Sequence, residues 1–189
     1  MHKGRLEAFS DAVIAIIMTI MVLELRPPKG ISLESLQPLI PVLACYLLSF
    51  VFLGIYWNNH HHMLQITKRV NGASLWANMH LLFWLSLIPF VTNWMGEHST
   101  SHWPIALYGF ILCMCGVSYY ILSKCLIAAD GADSALAVAL GNDLKGKASV
   151  AIYLAAIGIT WVAPCWAYAC YVTVAIMWIV PDRRIERMH

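Results

Sequence analysis

Long apolar runs broken by short polar stretches dominate this chain of 189 residues. A helix that crosses a membrane needs about 20 mostly apolar residues, and six segments satisfy or approach that length. The pattern predicts an all-α membrane protein in which residues 1–189 form a single six-span domain. The predicted spans run approximately over residues 6–25, 39–57, 74–95, 103–123, 148–163 and 166–180. The last two are short, and Pro164 separates them, as expected where a helix ends.

Composition excludes several other classes of protein. Hydrophobic residues make up 60% of the chain and charged residues only 12%, about half the charge of a soluble domain. Disordered chains need the opposite balance, and a net charge of +2 provides no basic surface for nucleic acid. The six cysteines lie in or beside apolar runs, where thiols behave as small hydrophobic groups.

Basic residues predict the orientation, because cytoplasmic loops of membrane proteins carry an excess of Lys and Arg. With six spans, only Arg26 and Lys29 fall on one side of the membrane. The other ten share the opposite side: Lys3, Arg5, Lys68, Arg69, Lys124, Lys145, Lys147, Arg183, Arg184 and Arg187. We therefore expect both termini to be cytoplasmic. We expect the first span to be retained, because Glu24-Leu25-Arg26-Pro27 is no signal-peptide cleavage site.

Polar residues cluster at the start of the first span, where Arg5, Glu7, Ser10 and Asp11 precede the aliphatic stretch. Ionisable groups at membrane depth should face protein or water, so these residues indicate a packed polar network. An ordinary helix start is the alternative, because carboxylates near a helix N-terminus are stabilised by its dipole.

An aliphatic stripe follows on the same helix. Ile16, Ile20 and Leu23 recur at intervals of four and three, so they share one face, with Thr19 beside them. Lipid contact or packing explains most such stripes. The alternative is a pore wall whose hydrophobic constriction gates by dewetting.

The second and third spans add polar groups at a similar depth. Trp57 and His60 lie three residues apart, so both can hydrogen-bond to a neighbouring helix, and Asn78 lies near the predicted cytoplasmic end of the third span. A helix fans His60, His61 and His62 over three directions, which does not suit a metal site. We therefore predict no metal site and leave His61, His62 and the connection between the fourth and fifth spans without a role.

These residues resemble a known family. Arg5-x-x-x-Phe9-Ser10-Asp11 at the start of the first span, Trp57-x-x-His60, Asn78 and Pro89 are similar to the pattern of the endolysosomal potassium channel family, transmembrane protein 175, and its bacterial relatives. The resemblance covers the first three spans by motif and the others by topology.

The resemblance implies a homotetrameric potassium channel without cofactor, in a bacterial inner membrane. In this family the first helices line the pore and no carbonyl selectivity filter is present. By position, Ile16, Ile20 and Leu23 match its hydrophobic constriction and Thr19 a hydroxyl layer linked to selectivity. Ala15 stands where some members have a further serine. Arg5, Phe9, Ser10 and Asp11 would anchor the first helix to Trp57, His60 and Asn78.

Three alternatives stay open. A proton-permeable channel of the same architecture could relay protons through Asp11 and His60, because histidine titrates near neutral pH. A small secondary transporter would show internal repeats or broken helices, which the sequence does not suggest. A membrane-bound enzyme or haem protein would need histidine pairs, and His80, His98 and His102 have no such spacing with the histidine cluster.

Overall fold

A computed structural model describes residues 3–141 and 143–179 of the chain. These residues fold into helices joined by short connections, which confirms the all-helical class. The helices are α1 (Lys3–Leu23), α2 (Ile40–Ile66), α3 (Gly72–Ser86), α4 (Ile88–Glu97), α5 (His102–Asp130), α6 (Ala135–Leu140), α7 (Leu144–Ile159) and α8 (Pro164–Ile179), with a 3₁₀ helix (Leu33–Leu39) before α2. The last residue of the sixth predicted span and Arg183, Arg184 and Arg187 lie outside the described residues.

Four helical segments of the described residues are long and apolar enough to cross a membrane: Lys3–Leu23, Leu33–Ile66, Gly72–Glu97 and His102–Asp130. They correspond to the first four predicted spans, and they make the chain an integral membrane protein. The fifth and sixth predicted spans correspond to α7 and α8, which have 16 residues each. At 1.5 Å per residue each is about 24 Å long, shorter than a hydrocarbon core of about 30 Å.

α2 is longer than the sequence pattern predicts. It begins with Pro41 in its first turn, where a missing N–H costs nothing, and it ends at Ile66 instead of residue 57. Hydropathy detects only the part of a helix that is apolar. The 27 residues of α2 extend about 40 Å. Because α2 ends at Ile66, the three consecutive histidines lie on its last turns.

The third predicted span is divided into two helices. α3 ends at Ser86 and α4 begins at Ile88, with Pro89 in its first turn. Proline cannot donate the backbone hydrogen bond that a continuous helix needs. Leu87 therefore lies at a break between two otherwise consecutive helices.

α5 lies at the centre of the bundle and packs against α3, α4, α7 and α8. Tyr108, Tyr153, Tyr171 and Phe52 are among the largest fully buried side chains. The rings of Tyr108 and Tyr171 meet edge to face with centroids 5.3 Å apart. The Tyr171 hydroxyl donates to the Ile105 carbonyl at 2.9 Å, so the aromatic core also satisfies its polar atoms.

One end of the bundle, called the basic end below, contains the start of α1 and the ends of α2 and α5. The Lys3 ammonium donates to the Gln65 carbonyl at 3.0 Å, and the Lys68 amide donates to Asp130 Oδ2 at 3.0 Å. The connection after α5 contains the short helix α6. Lys3 and Lys68, two of the basic residues predicted to be cytoplasmic, therefore lie at this end.

Candidate functional site: the first helix and its polar contacts

α1 has one buried face and one exposed face. Its buried side chains are spaced by three or four residues, and they pack against α2, α3 and α4: Leu6, Ser10, Ile14, Ile17 and Met21. This spacing places them on one side of a helix with 3.6 residues per turn. Only one of them is polar, and it lies near the basic end.

A chain of hydrogen bonds connects Ser10, the buried polar residue of α1, to α2 and α3. Asn78 Nδ2 donates to Ser10 Oγ at 2.9 Å, and His60 Nε2 lies 2.8 Å from Asn78 Oδ1. Ser10 Oγ donates in turn to the Leu6 carbonyl at 2.8 Å. All three side chains are fully buried. One polar residue from each of three helices therefore meets in the interior.

The directions of these bonds assign the histidine tautomer. The Asn78 amide nitrogen is occupied as a donor to Ser10, so its oxygen faces His60 and accepts. His60 Nε2 must then carry the proton. Its Nδ1 is buried without a hydrogen-bond partner among the described residues.

A second contact connects α1 to α2 nearer the surface. Trp57 Nε1 donates to Asp11 Oδ1 at 3.1 Å. The His61 ring stacks on Trp57 with centroids 6.1 Å apart and an interplanar angle of 24°. Glu7 Oε1 lies 3.3 Å from His61 Nδ1. We call the five residues Ser10, Asp11, Trp57, His60 and Asn78 the polar network.

The structure does not bring every residue of the predicted anchoring motif into this network. Arg5 is exposed and makes no hydrogen bond or ion pair with another described residue, and Phe9 is 48% exposed. Within the described residues, neither side chain joins the hydrogen bonds of Trp57, His60 and Asn78, and the anchoring role of Arg5 and Phe9 stays a prediction.

The exposed face of α1 carries the predicted constriction residues. Ile16 is 56% exposed, Ile20 40% and Leu23 79%. Thr19 is exposed beside them, and its hydroxyl donates to the Ile16 carbonyl at 2.8 Å. Its oxygen lone pairs remain able to accept. This face is an aliphatic stripe with one hydroxyl, and the described residues of the subunit leave it exposed.

Sequence reasoning missed two groups of polar contacts. One is the contact of Glu7 with His61, which needs the rotation of α2 about its axis to be known. The other lies deeper, where Thr92 Oγ1 donates to Ser49 Oγ at 2.7 Å and Ser49 Oγ lies 2.9 Å from Tyr108 Oη. Isolated hydroxyls within apolar spans are the signal for such a cluster, but they do not identify their partners.

The fold and the site together define a polytopic membrane protein whose first helix is packed and hydrogen-bonded on one face, while the described residues leave its aliphatic stripe exposed. The model of the family described as endosomal/lysosomal potassium channel TMEM175 matches residues 5–89. The chain is 49% identical to a potassium channel of Chryseobacterium sp. strain P1-3 over 187 residues, covering 99% of this chain and 97% of the relative.

A comparison with solved structures points to the same family. The crystal structure of a lysosomal potassium-selective channel TMEM175 homolog from Chamaesiphon minutus matches with a TM-score of 0.83 and 25% identity, covering 95% of this chain and 97% of that one. The endosomal/lysosomal proton channel TMEM175 of Rattus norvegicus is 26% identical over 120 residues, which are 60% of this chain and 23% of the relative. The chain belongs to the TMEM175 family, and the resemblance inferred from its motifs is confirmed. This is a family of ion channels and not of enzymes.

Proposed function

We propose that this protein is a potassium channel of a bacterial inner membrane, formed by four copies of the chain around a pore lined by α1. The bacterial relatives named above are called potassium channels or potassium-selective. Each subunit would cross the membrane six times, with α7 and α8 as the fifth and sixth spans. The basic end would be cytoplasmic, because Lys and Arg accumulate on that side.

The exposed face of α1 is the observation that carries this proposal. Its other face is packed and hydrogen-bonded, so α1 is not a loosely attached helix. An exposed aliphatic face on a firmly held helix at the edge of the subunit suits a symmetric pore wall. Lipid could cover the same face, and the experiments below distinguish the two.

The mechanism follows from the chemistry of the stripe. Aliphatic side chains cannot replace the hydration shell of an ion, so a narrow ring of four Ile16 side chains dewets and blocks the ion. Ile20 and Leu23 would form further rings. Outward movement or rotation of α1 would widen them, and Thr19 would then offer hydroxyl oxygens to a passing cation.

In this mechanism the polar network positions α1 and does not contact the ion. Ser10 and Asp11 hold the basic end of the helix against α2 and α3, so movement is easier at the constriction than at the network. Arg5 and Phe9 would contact neighbouring subunits, because the described residues of their own subunit leave both exposed. In this proposal the motif would anchor α1 to a neighbouring subunit as well as to α2 and α3.

Proton permeation is the second candidate function. The mammalian relative named above is called a proton channel. The Glu7–His61 contact and the polar network place carboxylate and imidazole groups along α1, and imidazole can both donate and accept a hydrogen bond. A proton path would use these groups, whereas a potassium path would pass along the aliphatic stripe.

Reversal potentials decide between the two candidates. Purified protein is reconstituted into planar bilayers with opposed potassium and proton gradients, and then with opposed potassium and sodium gradients. We expect the reversal potential to follow the potassium gradient in both cases, and His60→Gln to leave it unchanged. A reversal potential that follows the proton gradient would contradict potassium selectivity and support the second candidate.

A further inference from the structure

Three potential metal ligands face one another at the basic end, beside the polar network. Ligand atoms of Glu7, Asp11 and His61 all lie within 4.8 Å of one another, and all three residues are partly buried. Glu7 and Asp11 are four residues apart, so they share a face of α1, whereas His61 belongs to α2. The cluster therefore joins the candidate pore helix to its neighbour.

The spacing of the cluster is close to that of a metal site. Zn²⁺ binds histidine nitrogen and carboxylate oxygen at about 2.0–2.2 Å, so two ligand atoms of a tetrahedral site lie roughly 3.4 Å apart. Glu7 Oε1 and His61 Nδ1 are 3.3 Å apart. The Asp11 carboxylate needs only a side-chain adjustment to complete the set, because all ligand atoms already lie within 4.8 Å.

Trp57 supports two of the three ligands from outside the cluster. Its indole nitrogen donates to Asp11 Oδ1, and its ring stacks on His61. Such outer contacts orient metal ligands and raise affinity. The second oxygen of Asp11 is not used by that bond. The exposed fractions of the His61 and Glu7 side chains are 37% and 24%, so the described residues of the subunit do not enclose them.

We propose that Glu7, Asp11 and His61 bind a divalent transition-metal cation such as Zn²⁺, with water completing its coordination. The metal would take the lone pair of His61 Nδ1, the ring proton would reside on Nε2, and the two carboxylates would balance the charge of the ion. Consecutive histidines alone make a poor site, as the sequence indicates, and here His61 alone joins the site from that run. His60 takes no part, because its Nε2 is bonded to Asn78 and its ring nitrogens do not belong to the group of facing ligand atoms.

Metal binding is tested by titrating the detergent-purified full chain with ZnCl₂ in a calorimeter. We expect one saturable site per chain, and at least about a tenfold weaker Kd in His61→Gln and in Glu7→Gln. His98→Gln is the matched control, because His98 is exposed and its ring forms a hydrogen bond to the Trp94 carbonyl and to no other described residue. It should bind as the wild type does.

Either of two results would overturn the site: no saturable binding by the wild type, or equal affinity in His61→Gln. Absorption of bound Co²⁺ gives a second readout on the wild type, independent of whether the variants fold. A change of its visible band on binding supports nitrogen and oxygen coordination, and an unchanged aqueous spectrum contradicts it.

A consequence for permeation rests on the proposed function. A metal that bridges α1 and α2 should hold the pore helix in place, so Zn²⁺ should reduce potassium flux in wild-type liposomes but not in His61→Gln. Calorimetric binding without any effect on flux would keep the metal site and contradict its control of the pore. Absence of potassium flux in metal-free buffer would instead contradict the proposed function.

Discussion

Asn78 is the residue through which α3 holds both α1 and α2. Its amide donates to Ser10 and its carbonyl oxygen accepts from His60, so one side chain satisfies two buried partners. A buried polar group that loses its partner keeps the cost of leaving water. Loss of the Asn78 side chain should therefore destabilise the contacts of both Ser10 and His60.

Asn78→Ala should lower the stability of the subunit by about 1–2 kcal/mol, because it leaves the Ser10 and His60 side chains without their shared partner. The measurement is the unfolding midpoint of the detergent-purified protein. Asn93→Ala is the control, because Asn93 is only half-buried and makes no side-chain hydrogen bond to another described residue. Equal midpoints for the two variants would show that the network contributes nothing.

Thr19 is the only hydroxyl in the exposed aliphatic stripe of α1 as defined above. Thr19→Val keeps the shape of the side chain and removes the oxygen that could coordinate a cation. We expect a smaller preference for potassium over sodium, measured as a shift in reversal potential, with the channel still assembled. Thr173→Val on α8 is the matched control, because Thr173 is also exposed and bonded to its own helix. Unchanged selectivity in Thr19→Val would remove the hydroxyl layer from the mechanism.

Sequence alone could identify most residues of the polar network but not their pairing. Ser10, Asp11, Trp57, His60 and Asn78 stand out because polar side chains are costly within apolar spans. Which atom meets which depends on helix rotation and axial shift, and the sequence does not encode these in any local pattern. Arg5 and Phe9 illustrate the limit, since they belong to the same motif but are exposed in the subunit.

At the scale of elements, close approach of helices depends on a few small residues. Gly96 on α4 faces the backbone of α2, where an added Cβ would come within 2.8 Å of Val42 Cα. No side chain can adjust to relieve a contact with backbone. Glycine at this position lets α2 and α4 pack directly against each other.

Gly96→Ala should therefore destabilise the bundle, because α2 and α4 must separate to admit the methyl group. Gly54→Ala on α2 is a matched control, since a Cβ there meets nothing within 4 Å. It should be neutral or stabilising by up to about 1 kcal/mol, as expected from helix propensity. Unfolding midpoints of the two variants in detergent provide the measurement. A Gly96→Ala midpoint at or above that of Gly54→Ala would contradict the close approach.

Helix positions were predictable because apolar runs mark them, but two boundaries were not. α2 continues to Ile66, although Asn58, Asn59 and the histidines are too polar for hydropathy to count them in a span. The third span is broken at Leu87, because Pro89 interrupts the backbone hydrogen bonds. Proline was visible in the sequence, but a proline in a membrane helix causes anything from a slight bend to a complete break.

At the scale of the whole molecule, the described residues of a single chain leave the aliphatic stripe of α1 exposed. Ile16, Ile20 and Leu23 are exposed in the subunit, so the proposed pore exists only between copies. The particle in mild detergent should contain four chains. Light scattering combined with size-exclusion chromatography, corrected for detergent, gives the copy number. A monomeric or dimeric particle that still conducts would contradict a pore formed by four α1 helices.

The central claim is that the aliphatic stripe of α1 lines and restricts the ion path. Potassium flux from liposomes tests it by comparing the wild type with Ile16→Asn and with Ile176→Asn. Ile176 is an equally exposed isoleucine, but it lies on α8. An amide at position 16 should wet the constriction and raise flux, whereas Ile176→Asn should conduct as the wild type does. Wild-type flux in Ile16→Asn, or an equal increase in both variants, would contradict the account.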